Sequence, residues 1–251
     1  MAKEKKTTEQ KEVIKYLREF NLASLMISFS GSVIICLFTM FVIELKTIPS
    51  IIITFIVALI GVKITKRFFP VMSDEQYHNL VLGKTASSRE KAIKALGLDE
   101  SQVKEIEPVN LHGYDFSECD YAKQKEGIKK GQQKSYVSSH FEDTWIFFSD
   151  TQVFVYVYSF HLNKELKREN TYKYMYKEIT SFAVRTDTSV MKVLVRCENW
   201  YGEDGKKKRD VPQTKFILNA PGGSVSVAME NTEENNRKIL AMQKKLEEKK
   251  I

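Results

Sequence analysis

The stretch DTWIFFSDTQVFVYVYSFHL, residues 143–162, is the most apolar part of the chain outside its first 70 residues. Two structures are open to it: a third membrane-spanning helix, or two strands of a folded domain. Asp150 lies near its midpoint, Asp143 is its first residue, and Glu142 immediately precedes it. Charges deep in a bilayer are costly. Aromatic and β-branched residues, which favour strands, make up most of the remainder. The stretch therefore predicts a β-hairpin that turns at Ser149 and Asp150.

A two-residue alternation of apolar and polar side chains runs through most of the C-terminal part of the chain. Turn-forming segments, among them RTDT at 185–188, separate the alternating stretches. Asn231 and Glu234 mark the start of a final amphipathic helix, whose apolar face carries Ile239, Met242 and Leu246. The expected strand segments are residues 102–113, 135–148, 151–162, 169–184, 189–201, 213–220 and 224–230. Residues 101–251 are thus predicted to form an α+β domain of about seven antiparallel strands, either a barrel or a sandwich, capped by a C-terminal helix.

Aromatic residues alternate along two of these strand segments, with Tyr172, Tyr174 and Tyr176 on one and Phe154, Tyr156 and Tyr158 on the other. If the two rows face each other, they form a cross-strand aromatic ladder. The same rows, if exposed, would line a groove for a ligand or a peptide. Aromatic packing within the sheet is the simpler interpretation.

Two long uncharged runs precede the strand region. Phe20 to Ile43 contains 24 residues without a charge, and Thr47 to Val62 contains 16 and extends past Lys63. A helix needs about 20 apolar residues to cross a bilayer, and a secretory signal peptide has a shorter apolar region followed by a cleavage site. Residues 21–69 are therefore predicted to form a transmembrane hairpin, with spans at about 21–43 and 47–66.

Lysine and arginine flank this hairpin on one side only. Residues 1–20 contain six, and Lys63, Lys66 and Arg67 follow the second span, whereas Lys46 is alone in the loop between the spans. The positive-inside rule then places both termini in the cytoplasm. These charges also account for most of the net charge of +7, so the basic balance predicts a membrane topology and no nucleic-acid partner.

Two shorter segments adjoin the predicted spans. Residues 1–20 contain an amphipathic helix, with Val13, Leu17 and Phe20 on one side, that is expected to lie on the membrane. Residues 73–98 are expected to form a cytoplasmic helical connector of one helix or two, with a capping box at Ser73 and Gln76 and a C-terminus at Gly97.

Small residues recur every four positions in both predicted spans, which allows close helix packing in lipid. They favour packing of the hairpin on itself or, alternatively, contact between two copies of the chain. The residues are Ser24, Ser28 and Ser32 in the first span and Ser50, Thr54 and Ala58 in the second.

No sequence motif for catalysis or cofactor binding stands out. The four histidines and the three cysteines lack metal-ligand spacing, and the chain has neither a complete phosphate-binding loop nor a G-x-S-x-G or H-E-x-x-H motif. We therefore predict neither an enzyme nor a cofactor or metal site.

Two basic segments are candidate contacts for anionic lipid, because each lysine near an anionic leaflet adds about 1 kcal/mol of attraction. The alternative for both is a solvated turn. The segments are the loop at 121–134, with Lys123, Lys125, Lys129, Lys130 and Lys134, and the tip at 205–210, with Lys206, Lys207, Lys208 and Arg209.

The segments KALGLDESQVKEIEPV, WIFFSDTQVFVYVYSF and YKYMYKEITSFAV resemble parts of Firmicutes-type bacterial membrane proteins with two spans and a cytoplasmic pleckstrin-homology-like (PH-like, YcxB-like) domain. The resemblance implies a strand at Tyr176 to Phe182 and a PH-like domain without catalytic residues. We therefore expect a non-enzymatic scaffold at the inner face of the cell membrane that binds a protein partner or its own copy. The alternatives are a sensor of anionic phospholipid and an oligomeric accessory protein of transport or immunity.

Overall fold

The computed structural model describes residues 6–18, 72–99, 107–117, 119, 122–124, 136–194 and 206–249, with residues 124, 189–194 and 206–210 described by their main chain alone. Both predicted spans, and with them the six small residues proposed for helix packing, lie outside these ranges. Among the described residues, no helix is both long and apolar enough to cross a membrane.

The described residues form four α-helices and nine strands. The helices are α1 (Thr8–Arg18), α2 (Asp74–Thr85), α3 (Ser88–Leu96) and α4 (Glu233–Lys249). The strands are β1 (Val109–Asp115), β2 (Ala122–Gln124), β3 (Tyr136–Ser138), β4 (His140–Phe148), β5 (Gln152–His161), β6 (Lys167–Met175), β7 (Ser181–Leu194), β8 (Lys206–Ala220) and β9 (Gly223–Met229), and a 3₁₀ turn, Tyr176–Glu178, follows β6.

The strands form two sheets, one in the order β1-β4-β5-β6 and the other in the order β3-β2-β7-β8-β9. Neighbouring strands are antiparallel except β2 and β7, which pair in parallel at Lys123 and Leu194. The α+β class, the antiparallel sheets and the C-terminal helix are therefore confirmed.

The hairpin predicted from residues 143–162 is present as β4 and β5. Phe148 pairs with Val153, and the Ser149 amide closes the turn by donating to the Gln152 carbonyl over 2.9 Å. The turn predicted at 185–188 is wrong, because these residues lie inside β7, which pairs with β8 without interruption from Ser181 to Leu194. Long-range pairing with β8 outweighs the local turn tendency there.

The predicted aromatic ladder is also wrong. Tyr172 and Tyr174 lie opposite Val155 and Val153, while Tyr156 lies opposite Thr171. A shift of one position moves a side chain to the other face of the sheet. The two rows therefore face opposite sides: the tyrosines of β6 face the other sheet, and Tyr156 packs beneath the N-terminal helices.

An apolar core fills one end of the space between the two sheets. Leu111, Ile146 and Phe216 are fully buried there, and α4 adds the side chains of Ile239, Met242 and Leu246, as its sequence predicts. Thr232 precedes α4, and its hydroxyl accepts a hydrogen bond from the Asn235 amide over 3.2 Å.

The outer face of the four-stranded sheet is covered by the N-terminal helices. The capping box of Ser73 and Gln76 and the C-cap at Gly97 are both present, and the connector consists of two helices, α2 and α3. The Tyr77 hydroxyl donates to the Ser138 carbonyl over 2.6 Å, and the Trp145 indole donates to the Ser88 hydroxyl over 2.9 Å. These two bonds hold the connector against the β-sheet.

Candidate ligand-binding site

Both strands of one long hairpin pass from one sheet to the other at the same place. β1 pairs with β4 as far as Asp115 and His140, and the chain then continues as the β2–β3 pair, which belongs to the other sheet. Ser138 stabilises the change of direction, because its hydroxyl lies 2.7 Å from the carbonyl oxygens of Asp115 and His140 and accepts from the His140 amide over 3.1 Å. The bend places Asp115 and His140 side by side.

Polar residues occupy the inward positions next to this bend. Alternation along β4 places His140 and Glu142 on the same face as Ile146, whose side chain lies in the core between the sheets. On the same criterion β1 contributes Asp115, and β5 contributes His161 opposite His140. The space between the sheets is thus apolar towards α4 and polar towards the bend.

Asp115 is the most heavily coordinated side chain of this polar end. Its Oδ1 accepts from Gln213 Nε2 over 2.5 Å and from the Ser117 amide over 3.0 Å, and Lys215 Nζ lies 3.8 Å from the same oxygen. Its Oδ2 lies 3.1 Å from His140 Nδ1. Burial alone would raise the pKa of Asp115, but its contacts with His140, Gln213 and Ser117 outweigh burial and hold the pKa well below its usual value. Asp115 is therefore a carboxylate.

Glu142 joins the two sheets. Its Oε2 accepts a hydrogen bond of 2.6 Å from the Ala228 amide on β9. Burial, together with the nearby charge of Asp115, raises the pKa of Glu142, although the Ala228 hydrogen bond acts in the opposite direction. Two carboxyl groups with opposite pKa shifts thus lie next to each other.

The imidazole rings of His140 and His161 stack, with centroids 4.2 Å apart and planes at 4°. Both side chains are almost fully buried. The stack follows from the β4–β5 register, which places the two residues directly opposite each other.

A cavity of about 350 Å³ lies beside these groups, between the two sheets. Its wall is mostly polar and includes the two cationic side chains of Arg168 and Lys215. Besides Asp115, His140 and Glu142, the cavity is lined by Ser117, Val157, Ser159, Arg168, Asn170, Tyr172, Lys215, Ser224, Val225, Ser226 and Val227. Charged groups that converge on a cavity of this size define a candidate binding site.

A second contact centre joins the helices on either side of the predicted hairpin. The rings of Tyr16 on α1 and Tyr77 on α2 stack with centroids 4.5 Å apart, and the Tyr16 hydroxyl donates to Asp74 Oδ1 over 2.6 Å. Lys123 of β2 completes the group, with Nζ 4.1 Å from the Tyr16 ring centroid and 3.7 Å from Asp74 Oδ1. Val13, predicted to lie on a membrane, is fully buried in the same cluster.

This centre changes the interpretation of Lys123, which the sequence placed in an exposed basic loop. Lys123 is 2% exposed and its ammonium is bound by Tyr16 and Asp74, so it is not presented to solvent. Lys125, Lys129, Lys130 and Lys134 lie outside the described residues. Lys206 to Arg209 belong to β8 and pair with β7, so their main chain is a strand where the sequence predicted a turn.

Sequence reasoning did not find the site at Asp115, His140 and Glu142. The available signal was charged residues at inward positions of strands that otherwise carry apolar side chains there. Comparison of the chain with protein-family models, curated proteins and solved structures finds no match.

Proposed function

We propose that the chain is a membrane-tethered interaction module whose two-sheet domain is held at the inner face of a bacterial cell membrane. The observation that carries this proposal is the stack of Tyr16 on Tyr77. Tyr16 lies just before the predicted hairpin of residues 21–69, and Tyr77 lies just after it.

A transmembrane hairpin requires its two ends to lie side by side, since packed helices are about 8–10 Å apart. The contacts between α1 and α2 meet this requirement at residues 16 and 74 to 77. The same helices pack against the outer face of the four-stranded sheet. The domain would therefore be fixed to its tether by folded structure, with no long flexible linker.

We expect a module held in this way to act by binding a partner. Confinement to a membrane raises the effective concentration of any partner in the same membrane. A site of modest affinity is then sufficient. The partner class that suits this role is another membrane protein or a second copy of the chain, in keeping with a non-enzymatic scaffold.

Topology is the first test of this function. In a full-length chain with Cys36, Cys119 and Cys197 replaced by serine, a cysteine at Lys46 should react with a membrane-impermeant maleimide in intact cells. A cysteine at Asn231, at the exposed start of α4, should react only after lysis. Recovery of the protein in the soluble fraction, or the reverse labelling pattern, would refute the proposal.

A second candidate function, recognition of anionic phospholipid, is favoured by the parallel pairing of β2 and β7. Because Lys123 lies opposite Leu194 in parallel strands, β2 and β7 both end at the same end of the sheet. Lys206 pairs with Leu194, so the main chain of the second basic segment begins there as well. Lys123 also contacts Asp74 at the predicted tether, so this end would face the membrane.

This candidate is tested with the full-length chain in vesicles and an environment-sensitive dye on a cysteine at Gln132. Dye burial in anionic but not neutral vesicles, lost at high salt and in Lys129→Glu/Lys130→Glu, supports lipid recognition. The matched control is Lys177→Glu/Lys244→Glu, which changes two exposed lysines elsewhere on the domain. Equal dye spectra in both vesicle types, or equal loss in the control, would refute it.

A further inference from the structure

We propose that Asp115, His140 and Glu142 bind one divalent transition-metal ion at the polar wall of the cavity between the sheets. Each residue offers one ligand atom to this site, and the three atoms lie within 4.8 Å of one another. The site lies within the folded domain, so it can be tested independently of the proposed membrane tether.

The ligand types select the class of ion. An imidazole and two carboxylates suit Zn²⁺ and its first-row neighbours, whereas Mg²⁺ and Ca²⁺ prefer sites made of oxygen ligands alone. Zinc–nitrogen and zinc–oxygen distances are about 2.0–2.2 Å, so ligand atoms on one tetrahedral ion lie about 3.5 Å apart. His140 Nδ1 and Asp115 Oδ2 are already 3.1 Å apart, and Glu142 would have to approach them by about 1 Å.

Both carboxylates already accept hydrogen bonds from groups that could orient them as metal ligands. Gln213 Nε2 and the Ser117 amide donate to Asp115, and the Ala228 amide donates to Glu142. Outer hydrogen bonds of this kind orient metal ligands and usually matter strongly for affinity. The three ligands also come from adjacent strands, β1 and β4, and strands fix side chains more rigidly than loops do.

The imidazole provides a second observation. His140 is 3% exposed and lines the cavity, and its Nδ1 faces Asp115 Oδ2 at 3.1 Å without hydrogen-bond geometry. A cation between the ring nitrogen and the carboxylate would give His140 Nδ1 the partner that it lacks, while Asp115 Oδ2 also accepts a hydrogen bond of 2.9 Å from the Ser117 hydroxyl. The cavity of about 350 Å³ beside the cluster leaves room for water or a further ligand on the ion. The arrangement therefore resembles an open metal site more than a closed structural one.

Lys215 competes with the ion for the same carboxylate. Its ammonium lies 3.8 Å from Asp115 Oδ1, and its side chain is 23% exposed, so it can turn towards solvent. Coulomb repulsion between this ammonium and a bound cation would weaken binding. Replacing Lys215 by glutamine should therefore strengthen metal binding, which a purely structural role for the cluster does not predict.

The experiment uses the full-length chain, purified in detergent without a metal-affinity tag, stripped with a chelator and titrated with Zn²⁺ against a chromophoric competitor. We expect one ion per chain, at least tenfold weaker binding in Glu142→Gln and His140→Gln, and severalfold tighter binding in Lys215→Gln. Co²⁺ in the same site should give visible ligand-field absorption that Glu142→Gln abolishes. Circular dichroism establishes that each variant is folded.

The control variants are His78→Gln and His112→Gln, which replace the two histidines outside the His140–His161 pair and should leave the affinity unchanged. Absence of stoichiometric Zn²⁺ binding to the folded wild-type chain would overturn the proposal. So would equal affinity for Mg²⁺, unchanged binding in Glu142→Gln, or loss of binding in either control.

Discussion

Tyr16 and Tyr77 stack at a centroid separation of 4.5 Å and so join two helices that the predicted membrane hairpin separates in sequence. Tyr77 also stacks with Tyr114 on β1, with centroids 6.2 Å apart, so the contact continues into the β-sheet. Burial raises the pKa of both Tyr77 and Tyr114 well above the usual value for tyrosine, so these two hydroxyls remain protonated at neutral pH. A row of aromatic side chains thus connects α1 and α2 to β1.

Replacement of Tyr16 by alanine should release α1 from this row. The change removes a fully buried aromatic ring, and losses of this kind typically cost about 3–5 kcal/mol. Hydrogen exchange of the full-length chain should show at least tenfold less protection in residues 8–18. The control on the same helix is Glu9→Ala, which removes a partly exposed ion pair with Lys84 and should change protection little. Equal effects of the two changes would contradict a specific role for Tyr16.

Gly113 on β1 lies close to the main chain of Met229 on β9. A Cβ at this position would lie 2.8 Å from the carbonyl carbon of Met229 and 2.9 Å from its Cα and N. Main-chain atoms of a strand cannot move aside cheaply, so Gly113→Ala should lower the free energy of unfolding by about 1–3 kcal/mol. Urea unfolding in detergent, followed by tryptophan fluorescence, measures the change.

Gly83 provides the matched control for this substitution. It lies within α2, and a Cβ there would meet nothing within 4 Å. Gly83→Ala should stabilise the chain by about 0.5–1 kcal/mol, because alanine loses less backbone entropy in a helix than glycine does. If both glycine substitutions destabilise, the cause is not the approach of β1 to Met229.

Ser88 holds the connector helices to the sheet through the Trp145 indole, which donates to its hydroxyl over 2.9 Å. Ser88→Ala should cost about 1–2 kcal/mol, because it leaves a partly buried indole N–H without its acceptor. The neighbouring Ser87 is exposed and makes no capping hydrogen bond, so Ser87→Ala should be close to neutral. A double-mutant cycle of Ser88→Ala with Trp145→Phe should show coupling between the two side chains. Additive effects would show that the hydrogen bond contributes little.

The features that sequence predicts correctly depend on neighbours close in the chain. The capping box of Ser73 and Gln76, the left-handed Gly97 and the apolar face of α4 each follow from residues within one or two turns of a helix. The turn between β4 and β5 is equally local. Signals at this range survive folding because tertiary contacts reinforce them.

The candidate site depends on pairings over longer range. Asp115 meets His140 only because β1 and β4 pair in one register and both strands change sheet at Ser138. Lys123 is hidden for the same reason, since Tyr16 and Asp74 are distant in sequence and their contact with β2 has no local signature. A register error of one residue would place Asp115 and His140 on the outer face. Composition and periodicity do not specify the register in which β1 pairs with β4.

The low pKa of Asp115 links the stability of the polar cluster to pH. Because its pKa is lower in the folded chain than the ordinary value near 4, its contribution is fully present above that value and is lost as the pH falls towards the folded pKa. Asp115→Asn should cost on the order of 3 kcal/mol at pH 7, since it leaves buried partners without their charge. The cost should be clearly smaller near pH 3, where the wild-type chain is already losing that contribution.

Urea unfolding in detergent at several pH values between neutral and pH 3 measures this dependence for wild type and Asp115→Asn. The raised pKa of Glu142 acts in the opposite direction, so the pair is also compared in a Glu142→Gln background. Asp187→Asn is the surface control: its partner is the exposed Arg185, and its effect should stay within about 0.5 kcal/mol at each pH. If Asp115→Asn costs the same at pH 7 and pH 3, the ionised form of Asp115 does not stabilise the folded chain through its contacts with His140, Gln213 and Ser117.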